Sequence, residues 1–258
     1  MSVLARTGPL VRLGGRPSPR RRLFCLPFAG GGAAAYRLWP RSLPDDVEVL
    51  AAQLPGHESR LAEPPLRSIH AMAEALRPAI EAEADLPYAI FGHSMGALVA
   101  FELAAALERD GARPPTRLFV SARRAPDEPD PLPPAHALPE PAFLDELQRR
   151  YGAIPEAIRQ EPELLALMLP VLRADLCAVE TDAPPPGAML RCPVEVYGGV
   201  DDTHPAPSQL SQWERVTAQP VRVRLFAGDH FYLTPQRDAL TADIAARWTA
   251  AGAGAVRT

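Results

Sequence analysis

Short apolar runs bounded by turn residues alternate along the chain with longer stretches of helical period. Residues 23–28, 47–52, 88–91, 118–120, 194–197 and 221–226 are strand-like and mostly apolar throughout. Strands covered on both faces of a parallel sheet carry this pattern. Helix-length segments fall at 33–43, 68–84, 95–109, 208–216 and 237–249. The alternation predicts an α/β fold, a mostly parallel sheet flanked by helices and joined by right-handed crossovers. One long interval, between 120 and 194, breaks the rhythm. Its middle, 141–151 and 162–179, is helical in pattern and flanked by the proline-rich stretches 126–134 and 184–186. We read it as an inserted helical lid at about 127–188, over the sheet edge where open α/β sheets bind ligands. Residues 1–22 show no period and read as a flexible tail, and 23–258 as a single domain.

Composition narrows the classes. A chain of 258 residues with 47% apolar and 22% charged positions is globular, not disordered or coiled coil. Basic residues number 27 against 31 acidic, a net charge of −4, so no overall basic field exists to hold nucleic acid. Three cysteines, Cys25, Cys177 and Cys192, are an odd number without CxxC spacing; they read as reduced thiols, with no disulfide frame and no zinc site. That reading, with no signal-like segment and no run of transmembrane length, predicts a cytoplasmic protein that neither is exported nor spans a membrane. Nothing in the pattern demands more than a monomer.

The sharpest chemical signal is Gly92-His93-Ser94-Met95-Gly96, which follows one predicted strand and opens a predicted helix. A serine on so tight a strand-to-helix turn adopts a strained backbone, and small residues two positions either side let the chains pass. Ser94 is the candidate nucleophile. A hydroxyl is a weak nucleophile near neutrality and needs a base oriented by a third group. His230 lies beyond the last predicted strand, in Phe226-Ala227-Gly228-Asp229-His230-Phe231, and is the favoured base; His204 is the runner-up. The acid should follow a strand between the two. Gly198-Gly199-Val200-Asp201-Asp202 places two aspartates there, and the Gly-x-x-Asp turn favours Asp201 over Asp202, with Asp229 weaker. The order Ser94, Asp201, His230 is that of α/β-hydrolases. An oxyanion hole would come from the backbone N–H of Met95 and from that of Ala29, or a neighbour, in Pro27-Phe28-Ala29-Gly30-Gly31-Gly32. Gly30-x-Gly32-x-x-Ala35 also matches a dinucleotide fingerprint, but the second strand ends at Ala52-Gln53 without the carboxylate a ribose would need.

Taken together these residues resemble the type II thioesterases, the stand-alone editing enzymes of polyketide and non-ribosomal peptide assembly lines. The resemblance runs from about residue 23 to 248 and adds to the elbow Gln53-Leu54-Pro55-Gly56, Ser121-Ala122-Arg123-Arg124-Ala125-Pro126 and Gly228-Asp229-His230-Phe231. His57 departs from it, since an arginine more often follows that Pro-Gly. The resemblance implies an α/β-hydrolase fold and hydrolysis of acyl groups, often aberrant ones, from the phosphopantetheine arm of an acyl or peptidyl carrier protein. It implies no cofactor beyond the arm the substrate carries. A general serine esterase or an acyltransferase on the same machinery is the alternative. Leu164, Leu165, Leu167, Met168, Leu169, Val171 and Leu172 supply more apolar surface than one helical face needs; most should pack the lid and a minority line the acyl pocket. Arg123, Arg124, Arg149, Arg150 and Arg159 are candidate contacts for an acidic carrier protein.

Overall fold

The computed structural model describes residues 8–152, 161–184 and 187–250. Seven strands form one sheet in the order β1-β3-β2-β4-β5-β6-β7. They are β1 Leu10–Leu13, β2 Arg21–Leu26, β3 Val47–Ala52, β4 Tyr88–His93, β5 Arg117–Ser121, β6 Val194–Gly199 and β7 Arg222–Phe226. All neighbours pair in parallel except β1 with β3. The C-terminal ends of β2 to β7 therefore open on one edge.

β1 corrects the flexible-tail expectation for residues 1–22. Leu10 to Leu13 pair with Ala52 to Val49, and β2 begins at Arg21. Four residues carry too little period to announce a strand; the free edge of β3 supplies the partner. Residues 1–7 lie outside the described residues, as do Pro185 and Pro186.

The helices are α1 Ile69–Ala82, α2 Met95–Arg109, α3 Glu140–Tyr151, α4 Pro162–Thr181 and α5 Arg237–Ala250. The Ser68 hydroxyl caps α1 by accepting from the Ala71 amide at 3.2 Å. The helix expected at 33–43 is instead two 3₁₀ turns, Ala33–Tyr36 and Trp39–Arg41, because Pro40 interrupts it. The segment Pro207–Val216 is likewise 3₁₀.

The sheet separates two apolar layers. Phe24, Ile90 and Val120 face α1 and α2 through Met72, Leu76 and Leu103, while Phe91 and Phe119 face Tyr36, Trp39 and Ile244. The four central strands β2 to β5 and the neighbouring β6 are almost wholly buried, as their apolar runs require. β7 is the exception: Arg222, Val223, Arg224 and Leu225 are exposed, and its arginines charge an open edge of the sheet. Helices α3 and α4, inserted between β5 and β6, own a third cluster around Phe143, Leu147, Leu165, Leu169, Leu172 and Leu176. Leu165, Leu169, Val171 and Leu172 are buried as expected, but Leu164 and Leu167 are exposed.

Candidate active site

Ser94 follows β4 and immediately precedes α2, at φ 53° and ψ −114°, a conformation a side-chain-bearing residue rarely adopts. The flanking glycines explain how the turn closes. A Cβ on Gly92 would run into the Gly96 carbonyl, and one on Gly96 into the Leu26 carbonyl of β2. The Ser94 amide donates to the Ser121 carbonyl at 2.8 Å, tying the elbow to the end of β5. Ser94 lines a cleft together with Phe28, Ala29, Leu147, Tyr151, Leu172 and His230 among others.

The Ser94 hydroxyl lies 3.0 Å from His230 Nε2, and His230 Nδ1 lies 2.9 Å from Asp202 Oδ2. A carboxylate only accepts, so Nδ1 carries the proton, leaving the Nε2 lone pair for the serine O–H. His230 and Asp202 are buried, 3% and 5% exposed, in a setting that strengthens both bonds. The structure thus brings Ser94 and His230 together, and the aspartate it places against His230 is Asp202, not the expected Asp201.

Asp201 is exposed and makes no bond to His230. The backbone decides between the two. Gly199 packs so closely on the 228–229 backbone that a Cβ would collide with the Gly228 and Asp229 carbonyls, and the Asp201 amide donates to the Gly228 carbonyl at 3.0 Å. With Asp201 clamped by its main chain, the next side chain turns inward. Asp202 Oδ1 then accepts the His204 amide at 2.9 Å, which orients the carboxylate for His230.

His204 is not a base for this serine. It is buried between Asp130 and Arg124, 3.0 Å from each. His93 is wholly buried, its Nδ1 2.8 Å from the Ser121 hydroxyl. Burial and the neighbouring His230 hold its pKa well below the usual histidine value, so a neutral ring lies beside His230.

Ala29 lines the same cleft as Ser94. In the loop that carries it, the Gly30 amide donates to Asp175 Oδ2 at 2.7 Å and the Gly31 amide to the Phe28 carbonyl at 2.8 Å. Those two amides are engaged within the protein. Met95 opens α2, where amides lack intrahelical acceptors and the helix dipole favours negative charge.

Sequence reasoning left His57 without a role, and the structure places it under this loop. His57 Nε2 is 2.9 Å from Asp175 Oδ2 and Nδ1 is 3.0 Å from the Pro55 carbonyl. Both partners are acceptors, and only an imidazolium donates from both nitrogens. Burial alone would lower the His57 pKa, but the hydrogen bond and charge of Asp175 outweigh it and raise the value. Asp175, wholly buried on α4, thus joins the inserted helices to the Gly30 loop. A raised folded-state pKa contributes stability fully present below the unfolded value of about 6.5 and lost as pH climbs through the folded value. The melting-temperature difference between the wild type and Asp175→Asn should be largest below about pH 6.5 and shrink as pH rises through the elevated His57 value. Thermal melts across pH 5–9 check it; a difference that widens with pH would mean His57 is neutral.

The expected carrier-contact arginines divide. Arg123, Arg124 and Arg150 are buried; Arg124 pairs with Asp130, and Arg150 with Glu146 and Glu180. None of the three is a surface charge. Arg149 is exposed beside Glu146, and Arg159 lies outside the described residues.

Among the described residues, no group of three or more His, Cys, Asp or Glu could hold a metal, and no helix is long and apolar enough to cross a membrane.

Known proteins match this chain over most of its length. The Thioesterase domain model matches residues 21–247. Thioesterase PikA5 of Streptomyces venezuelae is 43% identical over 233 residues, 88% of this chain and 81% of that protein. Gramicidin S biosynthesis protein GrsT of Aneurinibacillus migulanus is 38% identical over 212 residues, 82% of each. The structure of the type II thioesterase BorB from the borrelidin biosynthetic cluster superposes with a TM-score of 0.83 at 37% identity, covering 93% of this chain and 97% of that one. The sheet and its flanking helices are thus those of the α/β-hydrolase fold, as expected. Because the likeness extends from the serine elbow, which unrelated hydrolases share, to almost the whole chain, this protein belongs to the thioesterase family, whose members are serine hydrolases acting on thioesters.

Proposed function

We propose that the chain hydrolyses acyl groups, aberrant ones among them, from the phosphopantetheine arm of acyl or peptidyl carrier proteins in polyketide or non-ribosomal peptide biosynthesis. The observation that carries the reading is the hydrogen-bonded chain Ser94–His230–Asp202, whose serine and histidine line a cleft, in a chain of this family. His230 takes the Ser94 proton as Oγ attacks the thioester carbon. The tetrahedral oxygen is met by the amides of Met95 and Ala29; losing one such donor typically costs about 3 kcal/mol in the barrier. Collapse expels the pantetheine thiolate, a good leaving group, which takes the proton from His230. An acyl-serine remains, and water deprotonated by His230 releases the carboxylic acid and restores Ser94. Asp202 holds the tautomer and stabilises the imidazolium throughout.

These steps use protein groups and water, and the phosphopantetheine arrives with the substrate. Helices α3 and α4 act as the lid: Leu147, Tyr151, Leu172 and Leu176 reach over the Ser94 cleft. The partner is an acidic carrier protein in the cytoplasm, met by exposed groups such as Arg149 and not by the buried arginines. Release of free acid from acyl groups loaded on holo carrier protein tests the reading, with Ser94→Ala as control. Ser94-dependent release faster than from a matched free thioester is expected. No release from the carrier, with simple esters cleaved, would make the protein a general esterase; acyl transfer to an added alcohol or amine in place of hydrolysis would make it an acyltransferase.

A further inference from the structure

The Ser94 cleft has a volume of only about 30 Å³, too little for an acyl chain, while a neighbouring cavity of about 560 Å³ falls within the usual range for ligand sites. Val179 lines both. The larger cavity has apolar walls, Ile69, Leu98, Phe101 and Leu132 among them, together with six carboxylates and one arginine, Arg123.

The charges in this cavity are not equivalent. Each carboxylate already has a partner: Glu102 has His70, Asp127 has Arg215, Glu128 has Gln209, Asp130 has Arg124, Glu180 has Arg150, and Asp182 has Ser68. Arg123 has none. Its guanidinium forms no hydrogen bond or ion pair among the described residues, and its Nε is buried without a partner, although the residue is only 7% exposed. Burial lowers its pKa and outweighs the opposing pull of Tyr151, Asp130 and Glu180, none of which is hydrogen-bonded to it. A buried, unpaired guanidinium is costly to the fold, and five rigidly forked donors are suited to an oxygen acceptor.

The backbone holds Arg123 firmly. Its carbonyl accepts the Trp213 indole N–H at 2.7 Å, and it stands two residues beyond Ser121, whose carbonyl holds the Ser94 amide. The unpaired donor is thus placed beside the cavity that borders the nucleophile's cleft.

Resting on the thioesterase reading above, we propose that this cavity receives the distal part of the acyl chain and that Arg123 donates to a neutral oxygen on it, a ketone, hydroxyl or amide carbonyl. The enzyme thereby favours oxygenated chains over saturated ones. A neutral acceptor is favoured over a carboxylate because a further anion would meet the six carboxylates in the same walls.

The test compares kcat/KM for phosphopantetheine thioesters of one chain length: saturated, with a single ketone at successive positions, and with a terminal carboxylate. For at least one ketone position the wild type should prefer the oxygenated chain about 10- to 100-fold, the range of a hydrogen bond to a charged group. Arg123→Met should bring that ratio near one, and Arg123→Lys should keep part of it. Because a ratio is read, general damage to the triad does not mimic the result. Arg123→Met should also melt at the same or a higher temperature, since it removes an unpaired buried charge at similar side-chain length. A wild-type ratio near one at every position, a ratio unmoved by Arg123→Met, a lower melting temperature, or a preference for the carboxylate chain would each overturn the proposal. Failure to hydrolyse even the saturated thioester would instead overturn the thioesterase reading.

Discussion

Replacing Ser94 or His230 with alanine should each lower turnover on an acyl carrier substrate by about 10⁴- to 10⁶-fold, and the double variant should be little worse than either single one. The reason is geometric. The Ser94 hydroxyl has its base 3.0 Å away, and neither group does the other's work. Without His230 the hydroxyl keeps its proton; without Ser94 the imidazole has nothing to activate except water that lacks the serine's position. Residual activity should come from the oxyanion donors and binding alone. Single-turnover acid release by the two single variants and the double variant measures the coupling. Losses that multiply would show that the two side chains act separately, against the proposed relay.

The second large effect separates the adjacent aspartates. Asp202→Asn should reduce turnover by about 10⁴-fold, because an amide can donate to Nδ1 and turn the imidazole to the tautomer whose Nε2 holds the proton. KM should change little, since Asp202 is buried against the ring nitrogen opposite the one facing Ser94 and does not line the Ser94 cleft. Asp201→Asn should cost little in turnover. Its side chain is exposed, and its amide bond to Gly228 does not depend on the carboxylate. Steady-state kinetics of both variants decides the matter; the opposite ranking would return the acid's role to Asp201.

That pair shows where reading the chain stops. The strand–turn–helix around Ser94 is a local matter: the collisions that demand Gly92 and Gly96 involve the elbow itself and the neighbouring end of β2. Five residues, with a strand before and a helix after, suffice to announce it. His230 was legible by order, since a base late in the chain and past the last strand comes to the same sheet edge once the strands are parallel. The choice between Asp201 and Asp202 was not legible, because an irregular turn has no period and the tie that orients it runs to Gly228, in another segment.

Burial of charge was hidden for the same reason. Arg124 and Arg150 read as surface arginines, yet the fold encloses Arg124 with Asp130 and with the distant His204, and Arg150 with Glu146 and the distant Glu180. The acceptor of His57 is Asp175, 118 positions later on an inserted helix. β1 looked like part of a tail because its pairing comes wholly from β3.

By itself, then, the sequence determined the α/β alternation, the inserted helices, the serine elbow and the histidine. Apolar periodicity and backbone sterics act over a few residues, and the order of parallel strands carries each strand end to one edge. Only the tertiary structure decided which aspartate faces His230, which arginines lie buried with partners, and that Arg123 lies buried without one. Those outcomes depend on side-chain direction in turns and on contacts between segments far apart in the chain, neither of which leaves a periodic trace.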